Sequence, residues 1–253
     1  MKKFSLFLIL LPLSFFLMAT SCDKVADPTK EEELQAVTEG IKAYQDENYV
    51  TAFRRLSPFA GRGNAMAQLY LGHMYYNGHG VTQNGYTAFK WYLRSAEQGN
   101  AVAQMNVGYM YDSGYGVKQD YTEAVKWFRK SANQGNDYGL NNLGEMYRDG
   151  FGVARNYLEA FKWFTLAAGH GFHWAQYNLA ELYYRGQGVK KDLIAAYMWV
   201  SVAIGNAPSD ISSTEKTKRQ SLKNNISREM SATEIQQASQ LFTACKNKSY
   251  KNC

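Results

Sequence analysis

The chain has 253 residues, with 28 Lys+Arg against 22 Asp+Glu and only three cysteines. No two cysteines stand in a CxxC spacing, which excludes a dithiol redox centre of that kind. The excess of positive charge lies at one end: residues 22–214 hold 18 basic against 19 acidic residues, and residues 215–253 hold 8 against 3. A nucleic-acid surface needs a basic stripe along the body of a protein, and this body is neutral.

Lys2 and Lys3 precede an uncharged apolar run from Phe4 to Met18. The run is short for a membrane span and has the build of a secretory signal. It closes on Met-Ala-Thr-Ser-Cys, Met18 to Cys22, which resembles the lipobox of bacterial lipoproteins. That resemblance implies cleavage after residue 21 and acylation of Cys22; ordinary cleavage after Ala19, Thr20 and Ser21 is the alternative. Acyl chains anchor at about 0.8 kcal/mol per buried CH2, so a multiply acylated Cys22 holds the protein at a membrane. The expectation is an exported lipoprotein of the cell envelope, on the periplasmic side in a Gram-negative cell. Asp23 resembles an inner-membrane retention signal. Residues 22–33 read as a tether.

A fixed period of 36 residues governs the chain beyond the tether. Trp91, Trp127, Trp163 and Trp199 keep it, as do Ala52, Ala88, Ala124, Ala160 and Ala196, and Gly63, Gly99, Gly135 and Gly171. A period of this length marks a solenoid, in which each unit buries its apolar face only against its neighbours. Within a unit, Ala103, Val107, Gly108 and Tyr111 form one helical stripe, giving a helix A over about 101–112. The glycine doublets 78/80, 114/116, 150/152 and 186/188 stop helix A, and helix B restarts at Asn84, Asp120, Asn156 and Asp192. Asp120 with Glu123 and Asn156 with Glu159 are spaced as capping boxes. Helix B carries Ala124, Trp127, Phe128 and Ala132 inward. The G-x-G follows a helix and lacks the strand and lysine of a nucleotide loop.

The segments AQLYLGHMYYNGHGV, Ala67 to Val81, and AQMNVGYMYDSGYGV, Ala103 to Val117, resemble the SEL-one-like repeat, a longer-looped relative of the tetratricopeptide repeat. Four copies cover 65–206. Gly139 stands for the small Ala of helix A in the third, and Ala180 for its Gly in the fourth. Residues 34–64, with Gly40, Tyr44, Tyr49, Ala52 and Phe53, resemble an ordinary tetratricopeptide unit. The resemblance implies an all-α fold: a right-handed α/α solenoid of helix-turn-helix repeats.

Residues 207–253 read as capping helices and a basic tail. A polar helix is expected over about 214–230, and Ser231 with Glu234 forms a capping box ahead of Ile235, Ala238, Leu241 and Phe242. Terminal units of a solenoid need a polar outer face. With Cys22 lipidated, Cys245 and Cys253 either close a disulfide or remain two thiols.

Catalytic groups are sparse. His73, His79, His170 and His173 share no repeat position, and only the last two are close enough to co-ligate a metal. Ser213 and Lys216 have a Ser-x-x-Lys spacing without its companion motifs. No catalytic residue, metal or cofactor is assigned. In tetratricopeptide-like superhelices helix A lines the concave groove, so the resemblance places Tyr70, Asn106, Asn142 and Asn178 in it, flanked by His73, Tyr109, Glu145 and Glu181. An amide ladder suits the backbone of an extended peptide, and equally suits hydrogen bonds between helices. Tyr138, Trp174 and Tyr177 add either stacking area or inter-repeat core. The expected function is a non-enzymatic scaffold, lipid-anchored at the envelope, that binds a protein or peptide in the groove. The alternatives are a protein binding or hydrolysing beta-lactams or peptidoglycan fragments, as cysteine-rich relatives do, and a self-assembling structural protein.

Overall fold

The computed structural model describes residues 29–247, and Cys22 and Cys253 lie outside them. Every regular element among the described residues is helical. Six A-type helices, α1 (Lys30–Gln45), α3 (Ala65–Asn77), α5 (Ala101–Ser113), α7 (Asp137–Asp149), α9 (His173–Arg185) and α11 (Ser213–Arg228), alternate with α2 (Tyr49–Gly61), α4 (Gly85–Glu97), α6 (Tyr121–Ala132), α8 (Tyr157–Gly169), α10 (Leu193–Gly205) and α12 (Ala232–Asn247). The protein is an all-α repeat solenoid. No helix among the described residues is long and apolar enough to cross a membrane. Helix α1 begins at Lys30, capped by a Thr29–Glu32 box, so residues 30–33 of the span read as tether are helical.

The loop after each A helix is fixed at both ends. Gly114 caps α5 in the left-handed region at φ 72°, with Gly78, Gly150 and Gly186 doing the same in the other repeats. The second glycine has a different task. A Cβ on Gly116 would collide with the carbonyl of Gly85, the first residue of the preceding B helix, and Gly80, Gly152 and Gly188 meet Tyr49, Tyr121 and Tyr157 in the same way. Each loop therefore touches the unit before it, backbone to backbone.

Asn84, Asp120, Asn156 and Asp192 cap the B helices as expected. The two capping boxes are half made. Glu123 and Glu159 accept from Lys126 and Lys162 at 2.6 Å, because the backbone N–H they would take is already spent. Asp120 donates it to the Tyr111 carbonyl and Asn156 to that of Tyr147, both in the preceding A helix. Asn64, Asn100 and Asn136 cap A helices, while Phe172 at that position offers no side-chain cap.

Inside a repeat, a Cβ on Gly72, Gly108 or Gly144 would run into the ring of Tyr92, Phe128 or Phe164. In the fourth repeat Ala180 takes the glycine position and Val200 the ring position, both fully buried. The extra methyl is accommodated by a smaller partner. Between units, Trp91 packs on the core of the first unit and Trp127 on the core built around α4 and α5. Phe53–Tyr75, Phe89–Tyr111 and Phe161–Tyr183 meet edge-to-face at 5.2–6.2 Å across the same junctions.

Helix α10 has no charged residue over LIAAYMWVSVAIG and is covered on several sides, by α9, α11 and α12. The expected cap is present, with a reciprocal Ser231–Glu234 box, but α12 packs chiefly on α10 and does not form a repeat-like hairpin with α11. Its buried stripe runs through Ala238 to Cys245, and Leu241, expected inward, is 45% exposed.

Substituting Gly135, whose φ is 78° and whose missing Cβ would meet nothing within 4 Å, isolates the cost of backbone strain. Gly135→Ala is expected to cost about 1 kcal/mol, and Gly116→Ala about 1–3 kcal/mol more from the collision. Urea unfolding of the two variants checks this; equal losses would mean that the loop contact contributes nothing.

Candidate functional site

The A-type helices touch their counterparts in neighbouring units, α1 with α3, α5 with α7 and α9 with α11, more closely than the B-type helices touch theirs, the terminal pair α10 and α12 excepted. The A layer is thus the inner side of the stack. All eight residues expected in the groove lie on cavities along it. Tyr70 and His73 line an open hollow of about 430 Å³ at the first units. His73, Asn106, Tyr109 and Asn142 line one of about 400 Å³. Glu145, Asn178 and Glu181 line a third, of about 700 Å³.

The four ladder positions are not equivalent. Asn178 is 6% exposed and its amide is spent inside the chain: it donates to Asn141 (2.9 Å) and Glu145 (3.1 Å) and accepts from Arg148 (2.9 Å). At that position the hydrogen-bonding role is structural. Asn106 has a buried amide nitrogen with no partner, and the Asn142 side chain makes no hydrogen bond among the described residues. Tyr70 packs edge-on to Tyr44 at 5.2 Å. Tyr109, 43% exposed, turns toward the opening beside Tyr76. Glu181 pairs with Arg185 at 3.0 Å.

His73 bonds to the Tyr92 hydroxyl at 2.8 Å, and burial pulls its pKa down to about 4. It faces the groove as a neutral ring. His79 stacks on Tyr49 at 4.2 Å. The two histidines near enough in sequence to co-ligate have other partners: His170 meets Asp137 at 2.6 Å, and His173 accepts from Arg219 at 2.7 Å. Burial, then the Arg219 charge, holds the His173 pKa at about 4. Among the described residues no group of three His, Cys, Asp or Glu is placed to hold a metal. Lys216 donates to the Ser209 carbonyl at 2.9 Å, seven residues back.

Two sets of polar residues have roles that the sequence does not announce. Gln68, Gln104 and Gln176 are buried, each donating to the B-helix carbonyl of the preceding unit, Ala60, Ala96 or Ala168, at 3.1–3.2 Å. Each accepts from its own unit, through Gln98, Gln134 or Asn206, at 2.7–3.1 Å. Their period is visible in the repeated Ala-Gln; their partners are not. The second is Arg219, 1% exposed, which donates to the Ala203 carbonyl and to His173 and lies 4.9 Å from the Trp174 ring. A helix that reads as polar thus buries one of its cations. Of the aromatics on the A helices, Tyr138 is exposed, Trp174 lines the cavity of about 700 Å³, and Tyr177 lines it from a buried position.

The Sel1 repeat family matches residues 65–100, 101–136, 137–172 and 175–204. Among solved structures, a Sel1 repeat protein from Oxalobacter formigenes is similar at 29% identity and a TM-score of 0.69, over 81% of this chain and 82% of that one. The protein c5321, a protective antigen present in uropathogenic Escherichia coli strains and displaying an SLR fold, is similar at 25% identity and a TM-score of 0.56. That likeness covers 87% of this chain and 55% of the antigen. No curated protein matches the sequence.

Both His73 and His173 have folded-state pKa values near 4, below the usual 6.5, so the unfolded chain takes up protons first. Stability is therefore full above about pH 6.5 and falls as the pH drops toward 4. Urea midpoints across this window should fall for the parent and fall less steeply for His73→Gln; identical slopes would remove His73 from the account.

Proposed function

The chain belongs to the Sel1 repeat family, and on that ground we propose that it is a non-enzymatic scaffold holding an extended segment of a partner protein against its A-helix face. Repeats of this family commonly mediate protein–protein interaction. The observation that carries the reading is the state of the groove amides. Asn106 keeps a buried amide nitrogen without a partner, and half-buried Asn142 hydrogen-bonds to no other described residue, beside exposed Tyr109 and Tyr138. An amide left unpaired at a cavity wall is costly unless something supplies its partner, and a peptide backbone offers both acceptor and donor. Rigid aromatic side chains beside it add contact area at low entropic cost.

Export and anchoring complete the proposal. The signal-like run and the Cys22 lipobox support attachment at the cell envelope, with the solenoid projecting from the membrane on the periplasmic side in a Gram-negative cell. A bridge between Cys245 and Cys253 would tie the end of α12 to the tail.

Photoreactive residues at Asn106, Tyr109 and Asn142, with Lys126 on the exposed side of a B helix as control, test the groove in the native envelope. One and the same protein should be captured from the three groove sites and not from Lys126. Equal capture from Lys126, or none from the groove while purified protein retains muropeptide, would replace this reading with a small-ligand one. Cys22→Ser should move the protein from the membrane pellet to the soluble fraction; if it stays in the pellet, Cys22 is not the anchor.

A further inference from the structure

The groove is chemically divided along its length. The cavity at α5 has no Asp, Glu, Lys or Arg on its walls, which are made of tyrosine, methionine and amide side chains. His73 on that wall is held neutral by burial. From the end of α7 onward the walls of the next cavity are charged, and the charges do not balance locally. Asp149 is taken by Arg148 through two 2.8 Å bonds, Glu181 by Arg185, and Glu145 by the amides of Asn141 and Asn178. On the cationic side, the Arg155 side chain makes no ion pair or hydrogen bond among the described residues. Lys218 reaches Glu215 only at 3.9 Å and sits 5.3 Å from the Tyr177 ring.

Resting on the scaffold reading above, we propose that the groove reads one extended peptide in two parts. An aromatic or proline ring sits in the neutral cavity with its backbone on Asn106 and Asn142, and an acidic side chain further along meets Arg155 and Lys218. The carboxylates of the charged cavity are already bonded, so its spare capacity is for an anion. The neutral cavity excludes charge because nothing on its wall would pair with it. The cavity centres lie two units apart, roughly 20 Å for helices about 10 Å from neighbour to neighbour, which an extended chain covers in about six residues.

Random dodecapeptides displayed on phage and selected on the full-length protein in detergent test this. Selections on Arg155→Ala/Lys218→Ala and on Tyr109→Ala/Asn142→Ala run in parallel, with circular dichroism confirming that both variants fold. Enriched peptides should pair a ring with an acid at a fixed separation of about six residues. The first variant should lose the preference for the acid alone, the second the preference for the ring alone. Changing the acid of a selected peptide to its amide should weaken binding to the parent about tenfold and flatten its salt dependence. This last measurement needs no variant.

Ring and acid enriched at no fixed separation, or an acid-to-amide change without effect, would overturn the two-part reading and leave the groove as a binding surface. Failure to enrich any peptide, or enrichment indifferent to both variants, would overturn the scaffold reading itself.

Discussion

The rest of the structure depends on one contact between two backbones. The second glycine of each loop lies so close to the first residue of the preceding B helix that no side chain fits between them. The residue between the two glycines then lies over the same helix start: His79 stacks on Tyr49 at 4.2 Å and Phe151 on Tyr121 at 5.0 Å. Where that helix starts with Gly85, Tyr115 fills the space instead. The far end of each loop is tied to its own A helix by the N-cap N–H, from Asn84, Asp120, Asn156 and Asp192 to the carbonyls of Tyr75, Tyr111, Tyr147 and Tyr183. The loop is therefore a spacer of fixed length. It sets where the next unit sits, and so the pitch at which groove side chains are presented.

Polar groups between units do a second part of this work. The buried glutamines span three of the junctions with both ends of the amide satisfied, so they cost little to bury and tolerate little displacement. The third repeat breaks the pattern in a consistent way. Leu140 replaces the glutamine, and His170, at the position of its usual donor, turns to Asp137. A lone glutamine left there would keep a buried carbonyl oxygen without its donor, so both members change together. Arg219 performs a related service at the end of the stack. It joins the cap to α9 and α10 through one carbonyl, one neutral histidine and the face of Trp174.

What the sequence disclosed was whatever the period repeats. The 36-residue step, the glycine loops and the four B-helix caps are local or evenly spaced, and they stand in the structure where the residues placed them. What it hid were partners set by the packing of one element on another. Glu123 has the spacing of a capping box, but the N–H it needs belongs to a bond with Tyr111 that no local pattern announces. Helical spacing points Leu241 inward, yet the stripe that α10 covers passes through Phe242 and Cys245. Asn106, Asn142 and Asn178 look alike in sequence because they share a position, and only their neighbours separate them. Arg148 and Asn141 engage the last, while Asn106 has no such neighbour.

This difference bears on how a solenoid acquires function. Positions that every unit must fill identically, such as Ala88, Ala124, Ala160 and Ala196, are fully buried and cannot distinguish one ligand from another. Discrimination has to come from positions that the packing leaves free to vary, and on the A face these change along the stack from His73 to Tyr109 to Glu145 to Glu181. The series runs from neutral and aromatic to acidic, and the cations around it change in step, from none at the α5 cavity to Arg148, Arg155, Arg185 and Lys218 from the end of α7 onward. On the proposed reading, a rigid spacer with a changing face would give each segment of a bound chain its own surroundings. Specificity can then reside in the order of several weak sites, since binding one segment raises the effective concentration of the next at its site.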